Sequence, residues 1–454
     1  MAKKALPQPP KLGTILGPSF ILLGLALGSG ELILWPYLSA NYGLGLIWGA
    51  VLGITFQYLL NMEIIRYTLV WGESVFVGFR RLSRFWPFWF VVSTFIPWSL
   101  PGFSSASAEI ASRLVPGLSP KFLGIFILVF TGLALSFGKT LYKTMEWLQK
   151  TIILFGLPMI FGLVFLFTNS KDWLDLGQGL FGKGNGWWFF PLGVSLTSFL
   201  GAFAYSGAGG NLNLSQSYYV KEKGLGMGKY AGKITSIFKG KARRTQLEGE
   251  TFLLTEENKK RFKNWWKLMS KEHFLVFWVL GLVTIVLLSV LAKSLVFGQA
   301  DQAGLSFLYQ EAAMIGQRSF QGLKVVFLVL AALMLYSTQL GVLESSSRII
   351  AENVLLLRWQ KKRKFNVSAW FYIALWGQIS LGIAILLLGW QEPRLLLTLS
   401  AVLNALAMTV LFPLVWWLNK KRLNKDLLPS KARLLGLLIA FLFFVSLSLF
   451  TLLG

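Results

Sequence analysis

An all-α polytopic membrane protein of eleven transmembrane helices, built as two inverted five-helix repeats with broken first and sixth helices, is the fold class the sequence predicts. Three observations predict it. The 454 residues are 55% hydrophobic and only 14% charged, against about a quarter charged in soluble domains. Lysines and arginines gather in alternate loops. Two of the apolar segments carry a cluster of small residues at mid-length.

Runs such as "WVLGLVTIVLLSVLA" (278–292) and "LLGLLIAFLFFVSLSLFTLLG" (434–454) approach or reach the about 20 apolar residues that a helix needs to cross a bilayer. The ten-residue alternation of a membrane barrel is absent. The spans fall near 14–42, 45–70, 86–112, 120–137, 142–168, 186–218, 273–297, 322–350, 366–390, 394–419 and 432–453. A basic tail (1–12) precedes a first repeat at 13–168. An outer loop (169–185) leads to a second repeat at 186–419, which contains a basic loop at 219–272. The eleventh helix with its preceding loop fills 420–454. The tail runs into apolar sequence without a small-residue cleavage site, so a retained first span is expected.

With the N-terminus inside, 34 of the 44 lysines and arginines fall in the inner segments 1–13, 71–85, 138–150, 219–272, 351–365 and 420–433. The positive-inside rule therefore sets the N-terminus in the cytoplasm and the C-terminus outside. It also accounts for the net charge of +25 as orientation and contact with the lipid bilayer, so nucleic acid is not an expected partner. With no cysteine, disulfides and thiolate metal sites are excluded. The single histidine, His273, is read at the junction of the basic loop with a span, which leaves no histidine relay in the membrane. Within the basic loop, Phe262, Trp265, Trp266 and Met269 recur at helical spacing among lysines, the pattern of an interfacial helix with a lipid-facing stripe.

Span one carries "GLALGSGELILWP" (24–36) and span six "AFAYSGAGGNLNLSQS" (202–217). Paired Gly-interrupted segments five spans apart are the sign of a transporter made of inverted repeats. Clustered glycines favour unwinding, and the freed peptide groups survive only beside protein or a wet cavity. Glu31, an acid deep in such a segment, is a functional candidate. It reads either as a cap on a half-helix starting near it or as a cation ligand.

The two interruptions resemble the Nramp family (natural-resistance-associated macrophage proteins) of proton-coupled divalent-metal transporters, which share the leucine-transporter-type fold. "LGPSFILLGLALGSGELI" (16–33) is similar to the family's first span, and "RYTLVWG" (66–72) to the end of its second. "AGGNLNLSQS" (208–217) is similar to its sixth, and "GVLESSSRIIAEN" (341–353) loosely to its eighth. The resemblance covers most of the chain. It implies a substrate site at Gly28, Ser29, Gly30, Glu31, Tyr205, Ala208, Gly209, Gly210 and Asn211. The family's metal-binding aspartate falls on Gly28, its proline on Ser29, its glycine on Gly30 and its asparagine on Glu31. In span six its methionine falls on Ala208, its proline on Gly209 and its histidine on Gly210. The asparagine is kept as Asn211, and a carbonyl ligand is expected from Tyr205.

The scaffold is thus kept while the aspartate, thioether and imidazole are gone. Glu31, Asn211 and the Tyr205 carbonyl remain as candidate metal ligands, a set that favours hard ions such as magnesium or manganese. The same small side chains would admit an amino-acid-like organic solute, and a non-transporting sensor is a third reading. Outside this site, Glu63 with Arg66 and Glu344 with Arg348 are spaced for helical pairs and are candidate gate or coupling groups, as is Glu109. Proton coupling would have to use carboxylates such as Glu31 or Glu344. Gln378 and Asn404 read as interhelical hydrogen bonders. The sequence holds no Walker loop and no hydrolytic constellation, so neither an enzyme nor a bound cofactor is expected, and no oligomeric state is read from it.

Overall fold

The computed structural model describes residues 4–137, 141–231, 247–298, 304–358 and 366–453. Parts of the expected inner loops (232–246 and 359–365) and the Ser29 side chain lie outside the described residues. Among the described residues, eight helices are long and apolar enough to cross a membrane. The three other expected spans, one, three and six, are each assembled from shorter helices, and those interruptions organise the molecule.

Span one comprises α1 (Pro18–Gly24), a π-helical segment (Leu27–Leu34) and α2 (Trp35–Tyr42). Span two holds α3 (Ile47–Trp71), closed by Gly72 in the left-handed region at φ 64°, where glycine carries no Cβ penalty. A short helix α4 (Val75–Leu82) leads to span three, α5 (Trp86–Trp98) and α6 (Gly102–Leu114). Pro101 separates these two, since proline lacks an N–H and disfavours helical geometry in the residue before it. Spans four and five are α7 (Pro120–Phe137) and α8 (Leu141–Phe167). A capping box between Asn169 and Asp172 starts α9 (Ser170–Gly179).

Span six comprises α10 (Leu196–Ala204), an irregular stretch, a 3-10 turn (Gly210–Ser215) and α11 (Gln216–Lys223). Helix α12 (Glu256–His273) continues through a π-helical segment (Phe274–Val279) into α13 (Leu280–Val296). α14 (Ser306–Arg318) precedes α15 (Gln321–Leu357), α16 (Val367–Leu387), α17 (Pro393–Arg422) and α18 (Lys431–Leu453). The π-helical part of span one lies between α13 and α15, while α10 and the 3-10 turn pack on α17.

Two expectations are corrected here. The stripe on α12 does not face lipid. Phe262, Trp265 and Met269 are buried because the N-terminal segment lies across them. Leu6 N–H donates to Asn258 Oδ1 at 3.2 Å, Arg261 to Leu6 O at 2.7 Å and Trp265 Nε1 to Pro7 O at 2.7 Å. His273, expected at a loop end, is wholly buried, because α12 runs into span seven without a break. Its ring stacks on Phe277 at 4.7 Å and on Tyr58 at 5.5 Å. Its Nδ1 lies 2.7 Å from Ser19 Oγ, whose hydroxyl hydrogen-bonds Glu272 at 2.5 Å.

Candidate functional site

Both mid-span interruptions exist, but they are built differently. Span six leaves helical geometry after Ala204, and Gly209 and Gly210 take φ of 75° and 50°, the region that favours glycine. Span one stays wound. From Leu27 its hydrogen bonds lengthen to the π register, so that Trp35 N–H reaches Gly30 O. The expected half-helix beginning at Glu31 is therefore absent, and Glu31 lies within a continuous turn. Its amides find carbonyls one residue further back, which costs less than leaving them bare inside a membrane.

Each interruption is clasped by one side chain from another span. Thr338 of α15 accepts from Gly28 N–H at 3.0 Å and donates to Gly24 O at 3.0 Å. Gln57 of α3 accepts from Gly209 N–H at 3.0 Å and donates to Ala204 O at 3.0 Å. The peptide groups at these positions are thus satisfied by protein, as buried backbone groups must be.

The spans meet where Gly30 packs on the Tyr205 carbonyl, so closely that an added Cβ would lie 1.8 Å from that oxygen. Trp35 Nε1 donates to Ser206 Oγ at 3.0 Å beside it. The Tyr205 ring stacks on Trp98 with centroids 5.6 Å apart. Its hydroxyl donates to Ser400 Oγ at 2.8 Å, since Ser400 itself donates to Pro97 O at 2.8 Å. It accepts from Asn404 Nδ2 at 3.1 Å.

Three asparagines around the span-six turn share one arrangement. Asn211 Nδ2 donates to Ser93 Oγ at 2.8 Å and Thr94 Oγ1 at 2.9 Å. Asn213 Nδ2 donates to Gln57 Oε1 at 3.1 Å and Gly210 O at 3.2 Å. Asn404 Nδ2 donates to Ser400 O at 2.9 Å as well as to Tyr205. Ser93 spends its own proton on Trp89 O at 2.7 Å, so it accepts from Asn211. In each residue the NH₂ group is committed to acceptors, and Oδ1 is buried without a hydrogen-bond partner. Asn404 Oδ1 lies against Gly210, where a Cβ would come within 1.9 Å of it.

Of the expected site residues, Gly30, Tyr205, Gly209, Gly210 and Asn211 gather at this crossing with Ala208 buried among them. Gly28 faces Leu335 and Thr338 of α15. Glu31 points elsewhere. It is fully buried with both oxygens unpartnered, and Oε1 is 3.7 Å from the Cβ position of Gly281 on α13. Among the described residues no three His, Asp or Glu side chains are grouped to hold a metal ion. The expectation of one shared ligand set is thus corrected: Glu31 faces span seven, the Tyr205 carbonyl is covered by Gly30, and Asn211 belongs to the span-six turn.

The paired charges form as spaced and recruit further partners. Glu63 and Arg66 pair at 2.6 Å, and Arg433 joins Glu63 at 2.8 Å. The Trp266 ring lies 3.7 Å from the Arg66 guanidinium and 5.0 Å from that of Arg433. Glu344 pairs with Arg348, which also takes Glu222 of α11 at 2.5 Å. This second cluster ties span six to span eight. Arg433, Trp266 and Glu222 lie far from their partners in sequence, and only the basic character of the inner loops hinted at them. Glu109 accepts from Tyr309 Oη at 3.0 Å and lines a cavity of about 560 Å³ with Arg113, Lys121 and Glu392. Ser346 donates to Gln378 at 3.0 Å, so Gln378 does bond between helices.

The sequence matches no family model and no curated protein. Among solved structures, the chain is similar to mutant forms of the Eremococcus coleocola manganese transporter, at 14% identity. The alignments cover 98% of this chain and 88% of that one, with TM-scores of 0.71 and 0.72. It is also similar to Mhp1, a nucleobase-cation-symport-1 family transporter solved in a closed conformation with bromovinylhydantoin bound. There the identity is 13%, the coverage 98% and 93%, and the TM-score 0.58. At such identities the likeness is one of fold. The chain is a multi-pass α-helical membrane protein with the leucine-transporter-type fold.

Proposed function

We propose that the chain is a secondary transporter, Nramp-related, that carries a hard divalent cation such as magnesium or manganese by alternating access around spans one and six. The observation that carries this reading is the set of amide oxygens on Asn211, Asn213 and Asn404, buried and unpaired while their NH₂ groups are committed. Amide and carbonyl oxygens suit hard cations, and magnesium keeps several waters, so it asks for few protein ligands. Fold likeness to a manganese transporter supports the same reading, as does the sequence resemblance at spans one, two and six. In this reading the N-terminus is cytoplasmic and the C-terminus lies outside. The two inner clusters, Glu63–Arg66–Arg433 and Glu344–Arg348–Glu222, act as gates, and Glu109 stands in the outer vestibule. Uptake of manganese and magnesium into proteoliposomes tests it. Uptake in the wild type that falls at least tenfold in Asn211→Ala and Asn404→Ala supports the assignment, and metal uptake equal to empty vesicles removes it.

A second reading, transport of a small amino-acid-like solute, is favoured by one observation. The crossing is lined by neutral groups, and Glu31 is turned toward Gly281. Counterflow of a labelled solute panel in the absence of divalent metal decides for it.

A further inference from the structure

We infer that the groove between α17 and α18 binds one anionic phospholipid, with an acyl chain along its apolar floor and the phosphate against Lys431 and Lys420. The inference requires only that the chain spans a bilayer and is independent of the cargo. The groove encloses about 430 Å³, and its lining, which includes Phe412, Pro413, Trp416, Leu438 and Phe441, contains a single charged residue, Lys431. That volume is within the usual range of ligand pockets, about 300–1,000 Å³. The walls are open to the outside of the bundle, with Leu438 half exposed, so hydrocarbon reaches it directly.

An apolar floor alone discriminates between no headgroups, and the choice rests on the charges at its rim. Trp416 stands at the end of the groove where Lys431 begins α18, and the Lys420 ammonium lies 5.3 Å from its ring. Tryptophan is enriched at the level of lipid headgroups. Of the neighbouring cations, Arg433 is committed to Glu63 and Lys259 to Asp426 at 2.7 Å. Among the described residues neither Lys420 nor Lys431 has a carboxylate partner. Two unneutralised ammonium groups flanking an indole, above an apolar slot, complement a phosphate whose ester carries an acyl chain. A phosphatidylcholine headgroup would bring its own cation to the same rim and gain less. Anionic lipids are attracted by such cations.

Native mass spectrometry and thermal unfolding of the purified full chain, titrated with dioleoylphosphatidylglycerol or dioleoylphosphatidylcholine, test this. The wild type retains the anionic lipid in preference and unfolds at a higher temperature with it. Lys420→Gln and Lys431→Gln each weaken its affinity about fivefold and leave phosphatidylcholine unaffected, whereas Lys425→Gln changes neither. Leu438→Trp, which fills the slot at an exposed position, weakens both lipids. Equal affinity for the two lipids overturns the proposal. So does anionic-lipid affinity that survives the Lys420/Lys431 double substitution, or that falls as far in Lys425→Gln.

Discussion

Gly30 and the Tyr205 carbonyl pack so tightly that a single methyl on Gly30 would lie 1.8 Å from the oxygen. The obstacle is backbone, so no side-chain rotation relieves it. Gly30→Ala is expected to push spans one and six apart, at a cost in the range of overpacked cores, about 1–3 kcal/mol or more. Thermal unfolding in detergent reads the loss, and transport should fall with it. A Gly30→Ala protein as stable as wild type would show that the crossing is looser than described.

The clasps on the two interruptions can be opened separately. Gln57→Leu removes the acceptor for Gly209 N–H and the donor for Ala204 O, and Thr338→Val does the same for Gly28 and Gly24. Each leaves a buried donor and a buried acceptor bare, at about 1–3 kcal/mol per group. Both variants should be destabilised. Gln57→Glu should recover part of the loss, since a buried carboxyl in its neutral form keeps an oxygen that accepts from Gly209 N–H and an O–H that donates to Ala204 O. Equal stability of Gln57→Glu and Gln57→Leu would contradict the assigned hydrogen bonds.

What was legible in the sequence depended on range. Hydropathy and lysine placement are local patterns, and they located the eight long apolar helices among the described residues, except that the seventh begins at Glu256 and not at 273 because α12 runs into it. Helical spacing sufficed for Glu63 with Arg66 and Glu344 with Arg348. The glycine clusters announced irregular backbone, but not its form. Whether freed peptide groups unwind or shift to a π register depends on which side chain arrives from elsewhere, and Thr338 lies some 300 residues from Gly28. The direction of Glu31 was hidden for the same reason. A change of helical register by one residue swings a side chain from one neighbouring span to the next, and Gly281 is visible as its neighbour only in three dimensions.

Glu63 holds two guanidinium groups, Arg66 and Arg433. Removing one member of a buried ion cluster costs about 3–5 kcal/mol, because the remaining charge loses its partner. Glu63→Ala should therefore destabilise more than Arg433→Ala, since it strands two cations and the latter strands none. Chemical or thermal unfolding of the two variants side by side gives the order, and the reverse order would count against Glu63 as the centre of the cluster.

At the start of α9, burial raises the Asp172 carboxyl. The Lys293 ammonium at 2.8 Å, the Asn169 backbone amide and Ser294 outweigh it, so the net shift is downward. A carboxyl depressed in the folded state adds stability that is fully present above its unfolded value, about 3.9, and is lost as pH falls through the folded one. Wild-type protein should lose thermal stability on acidification below about pH 4. Asp172→Asn should start lower at neutral pH and show a shallower acid limb. Parallel acid limbs in the two proteins would mean that Asp172 does not titrate with folding.

The N-terminal segment is a strap across α12, and its attachment can be timed. Leu6 is fully buried, and its backbone is held from both sides by Asn258 and Arg261, with Trp265 bonded to Pro7 next to it. α12 in turn carries Trp266 against Arg66 and Arg433 and leads to Glu272 and His273 at the start of span one. Releasing the strap should therefore loosen the N-terminal end of span one. The chain has no cysteine, so Leu6→Cys introduces a unique thiol. With the strap bound, a maleimide should label it only as fast as the segment lifts away. Adding Arg261→Ala and Trp265→Phe removes two of the three hydrogen bonds while keeping the aromatic packing, at about 1 kcal/mol each or more. Labelling governed by that opening equilibrium should then speed up about tenfold or more. A rate in the parent matching that of an unstructured peptide thiol would mean that the segment does not lie on α12 at all.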